Sequence, residues 1–305
     1  MKKVLIATEK PFAAKAVSGI KDIFSKAGYE TAVLEKYGTK EELLAAVADV
    51  DAMIIRSDKA DADVIAAAKN LKVIVRAGAG YDNIDLAACT KAGVVAMNTP
   101  GQNSNAVAEL VFGMMVMMSR CFYNGKPGVE LKGKKLGVHA YGNVGQNVGR
   151  IAKGFGMEVY AFDPFMTDAQ IEAAGAIPVK TVEELYSSCQ YISIHIPATK
   201  ETIRSIGYDL LDRMPENAVF VNTARKEVID EEGLLKLMKD RQDFHYITDI
   251  APDEKGFAAF EGRYFATPKK MGAQTAEANI NAGLAAARQI VAFLENGECR
   301  FKVNK

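Results

Sequence analysis

Leu136-Gly137-Val138-His139-Ala140-Tyr141-Gly142-Asn143-Val144-Gly145 is the stretch on which the fold turns. An apolar, β-branched run gives way to small residues and then to a helix-forming stretch, so it reads as a strand-to-helix turn. Such a turn brings backbone close to a pyrophosphate at a helix N-terminus. Gly142 and Gly145 sit where a dinucleotide fingerprint needs glycine, with Asn143 and Val144 between them. Ala140 holds the place of the first glycine, adding one methyl without excluding the tight turn. The next strand candidate, Val159–Phe162, ends at Asp163, about 20 residues on, where a carboxylate takes the adenine-ribose hydroxyls. Pro164 rather than an arginine follows, so nothing is offered to a 2′-phosphate and the carboxylate would repel one. The expected cofactor is NAD, not NADP.

Outward from this turn, short β-branched runs alternate with helical stretches along the whole chain. The pattern predicts an α/β protein of two doubly wound parallel-sheet domains, a flavodoxin-like substrate domain and a Rossmann NAD-binding domain. Before the turn, strands are expected at Val4–Ala7, Thr31–Leu34, Ala52–Ile55, Val73–Val75 and Val94–Met97, with helices such as Glu41–Ala48 and Asp63–Lys69. After it they are expected at Leu136–Ala140, Val159–Phe162, Tyr191–Ile196, Val219–Asn222, Tyr246–Asp249 and Tyr264–Ala266. Thr99-Pro100-Gly101 breaks the chain before a long helix over about Asn105–Met118, and a last helix over about Ala276–Glu295 returns to the first domain. The boundaries read as 1–98 plus 287–305 for the substrate domain and 99–286 for the NAD domain, with the site in the cleft between them. Met114, Met115, Met117 and Met118 read as a buried helix or a dimer contact rather than as an adaptable binding surface. Phe122–Lys132, with its glycines and proline, reads as a flexible connection.

Bulk properties narrow the class. At 305 residues there is room for two cores, and 49% hydrophobic with 25% charged content is that of a soluble globular protein. A formal charge of zero gives no reason to expect nucleic acid as a partner. The apolar run Val111–Met118 is too short to span a bilayer, and Glu9 and Lys10 turn a signal-like start into a first strand. Cys89, Cys121, Cys189 and Cys299 have neither metal-ligand spacing nor a pairing framework, so no metal and a reducing, cytoplasmic setting are expected.

Three further strings carry chemistry. Val75-Arg76-Ala77-Gly78-Ala79-Gly80-Tyr81-Asp82-Asn83-Ile84-Asp85 follows a first-domain strand. Val221-Asn222-Thr223-Ala224-Arg225 follows one in the second, and Asp249-Ile250-Ala251-Pro252-Asp253-Glu254 another. Together, in this order and with the cofactor turn between them, they resemble the D-isomer-specific 2-hydroxyacid dehydrogenases. The resemblance runs from Arg56-Ser57 to the final helix and is nearest to the 3-phosphoglycerate dehydrogenases. It implies that Arg225 binds the substrate carboxylate and the reacting oxygen, that Asp249 orients the nicotinamide amide, and that Glu254 pairs with the proton-transfer residue. It further implies cofactor contacts from His195, Ile196, Pro197, Thr223, Ala224, Gly272 and Ala273. Substrate contacts are implied for Arg56, Ser57, Arg76, Ala77, Gly78 and Asn103. A fixed guanidinium suits two-point binding of a 2-hydroxy or 2-keto acid.

The chain departs from the family at Thr267-Pro268-Lys269-Lys270-Met271-Gly272-Ala273, where a histidine directly after the proline is the pattern. Counted from the proline, Lys269 takes its place and is the expected acid–base group. Counted from the glycine, Lys270 does. His139, His195 and His245 offer no substitute, since all lie at other strand positions. A lysine suits the chemistry, because its ammonium donates to a ketone and its neutral amine accepts from a hydroxyl. Burial and Arg225 would lower its pKa, and Glu254 would raise it.

Arg56, Lys59 and Arg76 at strand ends give a physical reason to expect a phosphorylated 2-hydroxy acid, though surface solvation explains Lys59 equally well. The resemblance implies NAD-dependent oxidation of 3-phosphoglycerate to 3-phosphohydroxypyruvate, the first step of serine synthesis, by a homodimer. A chain ending at Lys305 leaves no room for further regulatory domains. A glyoxylate or hydroxypyruvate reductase, or a non-catalytic NAD-sensing protein, are the alternatives.

Overall fold

The protein is described from a computed structural model covering residues 1–305, which divides into two compact units. Unit one is Met1–Asn103 with Thr275–Lys305, and unit two is Ser104–Gln274.

Unit one begins β1 (Lys3–Thr8), α1 (Ala14–Lys26), β2 (Glu30–Glu35), α2 (Lys40–Ala46), β3 (Ala52–Ile55), α3 (Ala62–Ala67), β4 (Val73–Arg76), α4 (Leu86–Ala92) and β5 (Val95–Asn98). Its strands pair in parallel in the order β2-β1-β3-β4-β5. The order reverses at β1, so the β1/β3 boundary is the topological switch point, where doubly wound sheets bind ligands beyond the strand C-termini. Arg56 is the first residue after β3 there. The central strands are buried throughout, as helices on both faces require, and Thr39, Asp61 and Asp85 cap α2, α3 and α4 through their side chains.

Unit two opens with α5 (Ser104–Ser119) and continues β6 (Lys135–His139), α6 (Asn143–Gly154), β7 (Glu158–Phe162), α7 (Asp168–Ala173), β8 (Ile177–Pro178), α8 (Val182–Ser188) and β9 (Tyr191–Ile194). It closes with α9 (Tyr208–Leu211), β10 (Val219–Asn222), α10 (Glu231–Asp240), β11 (His245–Thr248) and β12 (Tyr264–Ala266). The order β12-β11-β10-β9-β6-β7-β8 puts its switch point between β6 and β9. Met114, Met115 and Met118 are buried within this unit, beside Leu136, Val148 and Ala152, so these three methionines are core. The segment after α5 is more constrained than the flexible connection expected: Cys121, Phe122 and Tyr123 are consecutive residues with φ of 50°, 54° and 57°, and Val129 donates back to the Ser119 carbonyl at 2.8 Å.

The last helix, α11 (Ala276–Asn296), belongs wholly to unit one. Ala282, Ala286, Ala287 and Ile290 share a core with Ile20 and Phe24 of α1, and a side chain at Gly283 would meet Ile20 and Phe12. The crossings therefore fall at 103/104 and 274/275, where 98/99 and 286/287 were expected. A helix packed along its length on one core cannot be divided between two. No helix is long and apolar enough to cross a membrane.

Candidate active site

In unit one the chain after β3 is organised by a buried carboxylate. Asp58 is 3% exposed. It accepts from the Glu9 amide at 2.6 Å, the Arg56 amide at 3.1 Å and the Tyr37 hydroxyl at 2.8 Å. Burial first, then the neighbouring Asp58, pushes the Tyr37 hydroxyl's pKa well above its usual range. Asn83 donates to the Arg56 and Asp58 carbonyls at 3.1 and 2.6 Å. Arg56 itself stacks on Phe12 and spends three donors on the Lys10 carbonyl (3.0 Å), the Pro11 carbonyl (2.9 Å) and Asn279 Oδ1 (2.6 Å). A guanidinium has five N–H groups, so two remain for a ligand. Burial lowers its pKa, with Asp58 pulling the other way. Arg76 donates from Nε to the Arg56 carbonyl at 3.0 Å and lies over Gly78, where a Cβ would come within 1.7 Å of its Nη1. Asn98 fixes the same loop by donating to the Ala79 carbonyl at 2.6 Å, and the Thr99 amide bonds Gly78 at 2.9 Å. Ser57 is exposed, Ala77 and Gly78 are buried, and Asn103 is half-buried with no side-chain hydrogen bond.

In unit two the β6–α6 turn has the shape of a dinucleotide cradle. Ala140 takes φ of 75°, the left-handed conformation the missing glycine would have supplied. A Cβ on Gly145 would lie 2.3 Å from the Ala140 carbonyl oxygen, so only glycine fits the crossing of strand and helix. Gly142 caps α6 without a side-chain bond, leaving first-turn amides for an anion. Asp163 accepts from the Tyr141 amide (2.8 Å) and the Phe165 amide (2.9 Å), one on each oxygen, and each oxygen keeps lone pairs for a ribose hydroxyl. Thr223 Oγ1, at the end of β10, is buried with no partner. These features fit NAD. Across the switch point, burial pulls His139 down to about 4, and burial followed by His139 pulls His195 down to about 3, so both are neutral at pH 7. His139 meets Tyr186, and His195 meets Ser193. Ile196 is buried and Pro197 exposed.

The ends of β10 and β11 build the reactive corner. Asn222 is fully buried, accepts from the Ala224 amide at 2.9 Å and donates to the Arg225 carbonyl at 3.0 Å, closing a turn that fixes Arg225. The Arg225 guanidinium donates to the Ala224 carbonyl at 2.9 Å and has no ion pair, which leaves donors for a carboxylate. Asp249 is 0% exposed and accepts from the Gly272 amide at 2.8 Å through Oδ2. Its Oδ1 takes the Lys270 ammonium at 3.1 Å, and that ammonium also donates to the Ala224 (3.0 Å) and Thr223 (3.4 Å) carbonyls. Burial lowers the Lys270 pKa, Asp249 opposes this, Arg225 adds to it and Glu227 opposes it.

Two residues stand apart from the groups the motifs joined them to. Lys269 is exposed, its ammonium makes no bond, and only its carbonyl is held, by Thr267 Oγ1 at 2.7 Å. Lys270 is the lysine set among the strand-end groups, because Gly272 docks on Asp249 and fixes the register from the glycine side. Glu254 is not paired with either lysine: it is exposed, its amide is held by Glu231 at 3.0 Å, and its loop is tied down by the Lys226–Asp253 ion pair at 2.6 Å. The extra residue before Gly272 is the only sequence signal for the first of these. For Asp58, Asn98 and Asn222, which the motifs did not single out, the signal is a short polar residue at or just after a strand end.

Residues 114–270 match the family model described as D-isomer specific 2-hydroxyacid dehydrogenase, NAD binding domain. The chain is 36% identical over 270 residues to a D-3-phosphoglycerate dehydrogenase of Methanocaldococcus jannaschii, covering 83% of this chain and 51% of that protein. It is 34% identical to a hydroxypyruvate reductase of Thermotoga maritima, covering 86% of this chain and 90% of that one. The chain thus spans about half the length of the curated D-3-phosphoglycerate dehydrogenases it matches. Among solved structures, an NAD⁺-bound 3-phosphoglycerate dehydrogenase of Entamoeba histolytica superposes with a TM-score of 0.89 at 51% identity, covering 100% of this chain and 99% of that one.

Proposed function

This chain belongs to the D-isomer-specific 2-hydroxyacid dehydrogenase family, and from that premise we propose that it oxidises D-3-phosphoglycerate with NAD, the first step of serine biosynthesis, using Lys270 to move the proton. The observation that carries this reading is a lysine ammonium held by the buried Asp249 and by the Ala224 carbonyl, beside an arginine with no ion pair in the turn after β10.

NAD bound here would supply the acceptor for the hydride on the substrate's C2, and its donor in the reverse direction. The amides of Gly142, Asn143 and Val144 would hold its pyrophosphate and Asp163 its ribose. His195, Ile196, Pro197, Thr223, Ala224, Gly272 and Ala273 would line the remainder. Arg225 holds the substrate carboxylate and the reacting oxygen. Its positive charge stabilises that oxygen as its proton leaves. In oxidation the neutral amine of Lys270 takes the hydroxyl proton. In reduction its ammonium gives the proton to the ketone oxygen. Burial lowers the Lys270 pKa, which raises the fraction of neutral amine at neutral pH above that of an ordinary lysine. Arg56, with two free donors, and Arg76 are the residues proposed to read the phosphate, and Ser57, Ala77, Gly78 and Asn103 the backbone and polar groups around it.

A second reading, reduction of hydroxypyruvate, is favoured by the Thermotoga relative, which is matched over nearly its whole length. Steady-state kcat/KM for 3-phosphohydroxypyruvate and hydroxypyruvate separates the two. The proposed function predicts a preference for the phosphorylated acid that falls by roughly 10-fold or more in Arg76→Ala, the loss of one charge-assisted contact. Equal rates with both acids, unchanged in Arg76→Ala, favour the second reading.

A further inference from the structure

We infer that Asp249, not Glu254, is the carboxylate that positions the proton-transfer lysine of this chain. The inference rests on the reading of Lys270 given above.

Asp249 is completely buried, and a buried carboxylate needs either a proton or compensating donors. It has donors on both oxygens, the Gly272 amide on Oδ2 and Lys270 on Oδ1. Gly272 locks the first of these. A Cβ there would stand 2.9 Å from Asp249 Oδ2 and 3.2 Å from Val107, so no side chain can come between amide and carboxylate. With Oδ2 fixed, Oδ1 has one direction to face, and Lys270 occupies it at 3.1 Å. The ammonium's other two N–H groups go to the Ala224 and Thr223 carbonyls. All three donors of the lysine are then engaged, and the longest bond, 3.4 Å to Thr223, is the one most readily exchanged for a substrate oxygen.

Glu254 has no part in this arrangement. The charged groups acting on Lys270 are Asp249, Arg225 and Glu227. Burial and Arg225 favour the neutral amine, and Asp249 and Glu227 favour the ammonium. Asp249 is the only one of them in direct contact, so it sets where the amine stands, and its charge is the main opposition to the larger effect of burial on the amine's proton. In this chain a lysine reaching back to a strand-end aspartate takes the place of a histidine paired with the loop glutamate. A lysine's longer stem makes that reach possible.

The test is the pH profile of kcat/KM for 3-phosphoglycerate oxidation in the wild type, Asp249→Asn and Glu254→Gln. Oxidation needs the neutral amine, so the rate rises as pH rises through the Lys270 pKa. Removing the Asp249 charge moves that ascending limb to lower pH by about one unit or more, the usual effect of deleting an opposite charge in contact. Glu254→Gln leaves the limb where it is. A limb that moves in Glu254→Gln and not in Asp249→Asn, or in neither, overturns the inference. Should Asp249→Asn fail to fold, Gly272→Ala displaces the same carboxylate and is expected to move the limb in the same direction. The ¹³Cε titration of Lys270 in the intact NAD complex, assigned with Lys270→Arg, reads the same shift without turnover. If Lys270→Ala keeps full activity, the proton-transfer reading itself fails. If it is inactive while the limb ignores Asp249, only the present inference fails.

Discussion

Ala140 shows at a single residue how a degenerate motif still builds its turn. With φ of 75° it sits in a region that costs an L-residue roughly 1–2 kcal/mol. Ala140→Gly is therefore expected to stabilise the protein by about 0.5–1 kcal/mol once the added flexibility of the unfolded chain is deducted. Urea unfolding checks it, and a midpoint that falls would show the methyl contributes packing that outweighs the strain. The turn was legible because the fingerprint's geometry depends on Gly145 and Asp163, both present. The lysine proposed to move the proton was legible only as one of a pair. Two lysines in succession differ by one residue of register, and that register is set by Gly272 docking on Asp249, a contact 23 residues away in sequence. Glu254 illustrates the opposite failure. Its motif position is intact, but Glu231 and the Lys226–Asp253 pair hold its loop, so sequence order alone did not report its environment.

Among the elements, the β6–α6 crossing is the least tolerant of change. Gly145→Ala places a methyl 2.3 Å from backbone oxygen, which cannot move aside as a side chain could. A cost of about 1–3 kcal/mol is expected, with weakened NADH binding as helix and strand separate. Unfolding by urea and NADH fluorescence titration measure the two effects, and normal values for both would mean the turn relaxes freely. The central strands were readable because they are buried on both faces and so appear as short, almost wholly apolar runs: Ala52–Ile55 and Val219–Asn222 have the bounds expected of them. Strand ends were overrun where polar site residues follow directly, at Ala140, Ile196 and Asp249. β8 escaped notice because Ile177–Pro178 is an edge strand of two residues ending in proline, with too little chain to show an alternating pattern. α11 was seen as a helix but divided between domains, since its alanine-rich face gives no sign of which core it joins until Gly283 is placed against Ile20 and Phe12.

At the scale of the molecule, the burial of Met114, Met115 and Met118 leaves Leu110, Gly113 and Met117 as the less covered side of α5. We propose that this side makes a two-fold contact between two copies of the chain. Light scattering at micromolar concentration should then give twice 33.0 kDa, and Leu110→Asp should give monomers. A monomer in the wild type would refute the contact. The central claim, that Lys270 moves the proton in an NAD-dependent oxidation of a phosphorylated 2-hydroxy acid, is tested most directly by one comparison. It is the rate of 3-phosphohydroxypyruvate reduction by NADH near pH 7 in the wild type, Lys269→Ala and Lys270→Ala. The account predicts turnover in the wild type, a loss of about 10²–10⁴-fold in Lys270→Ala, the range for a positioned acid, and little change in Lys269→Ala. The reverse ranking of the two lysines, or a wild type that binds NADH without turnover, would contradict it.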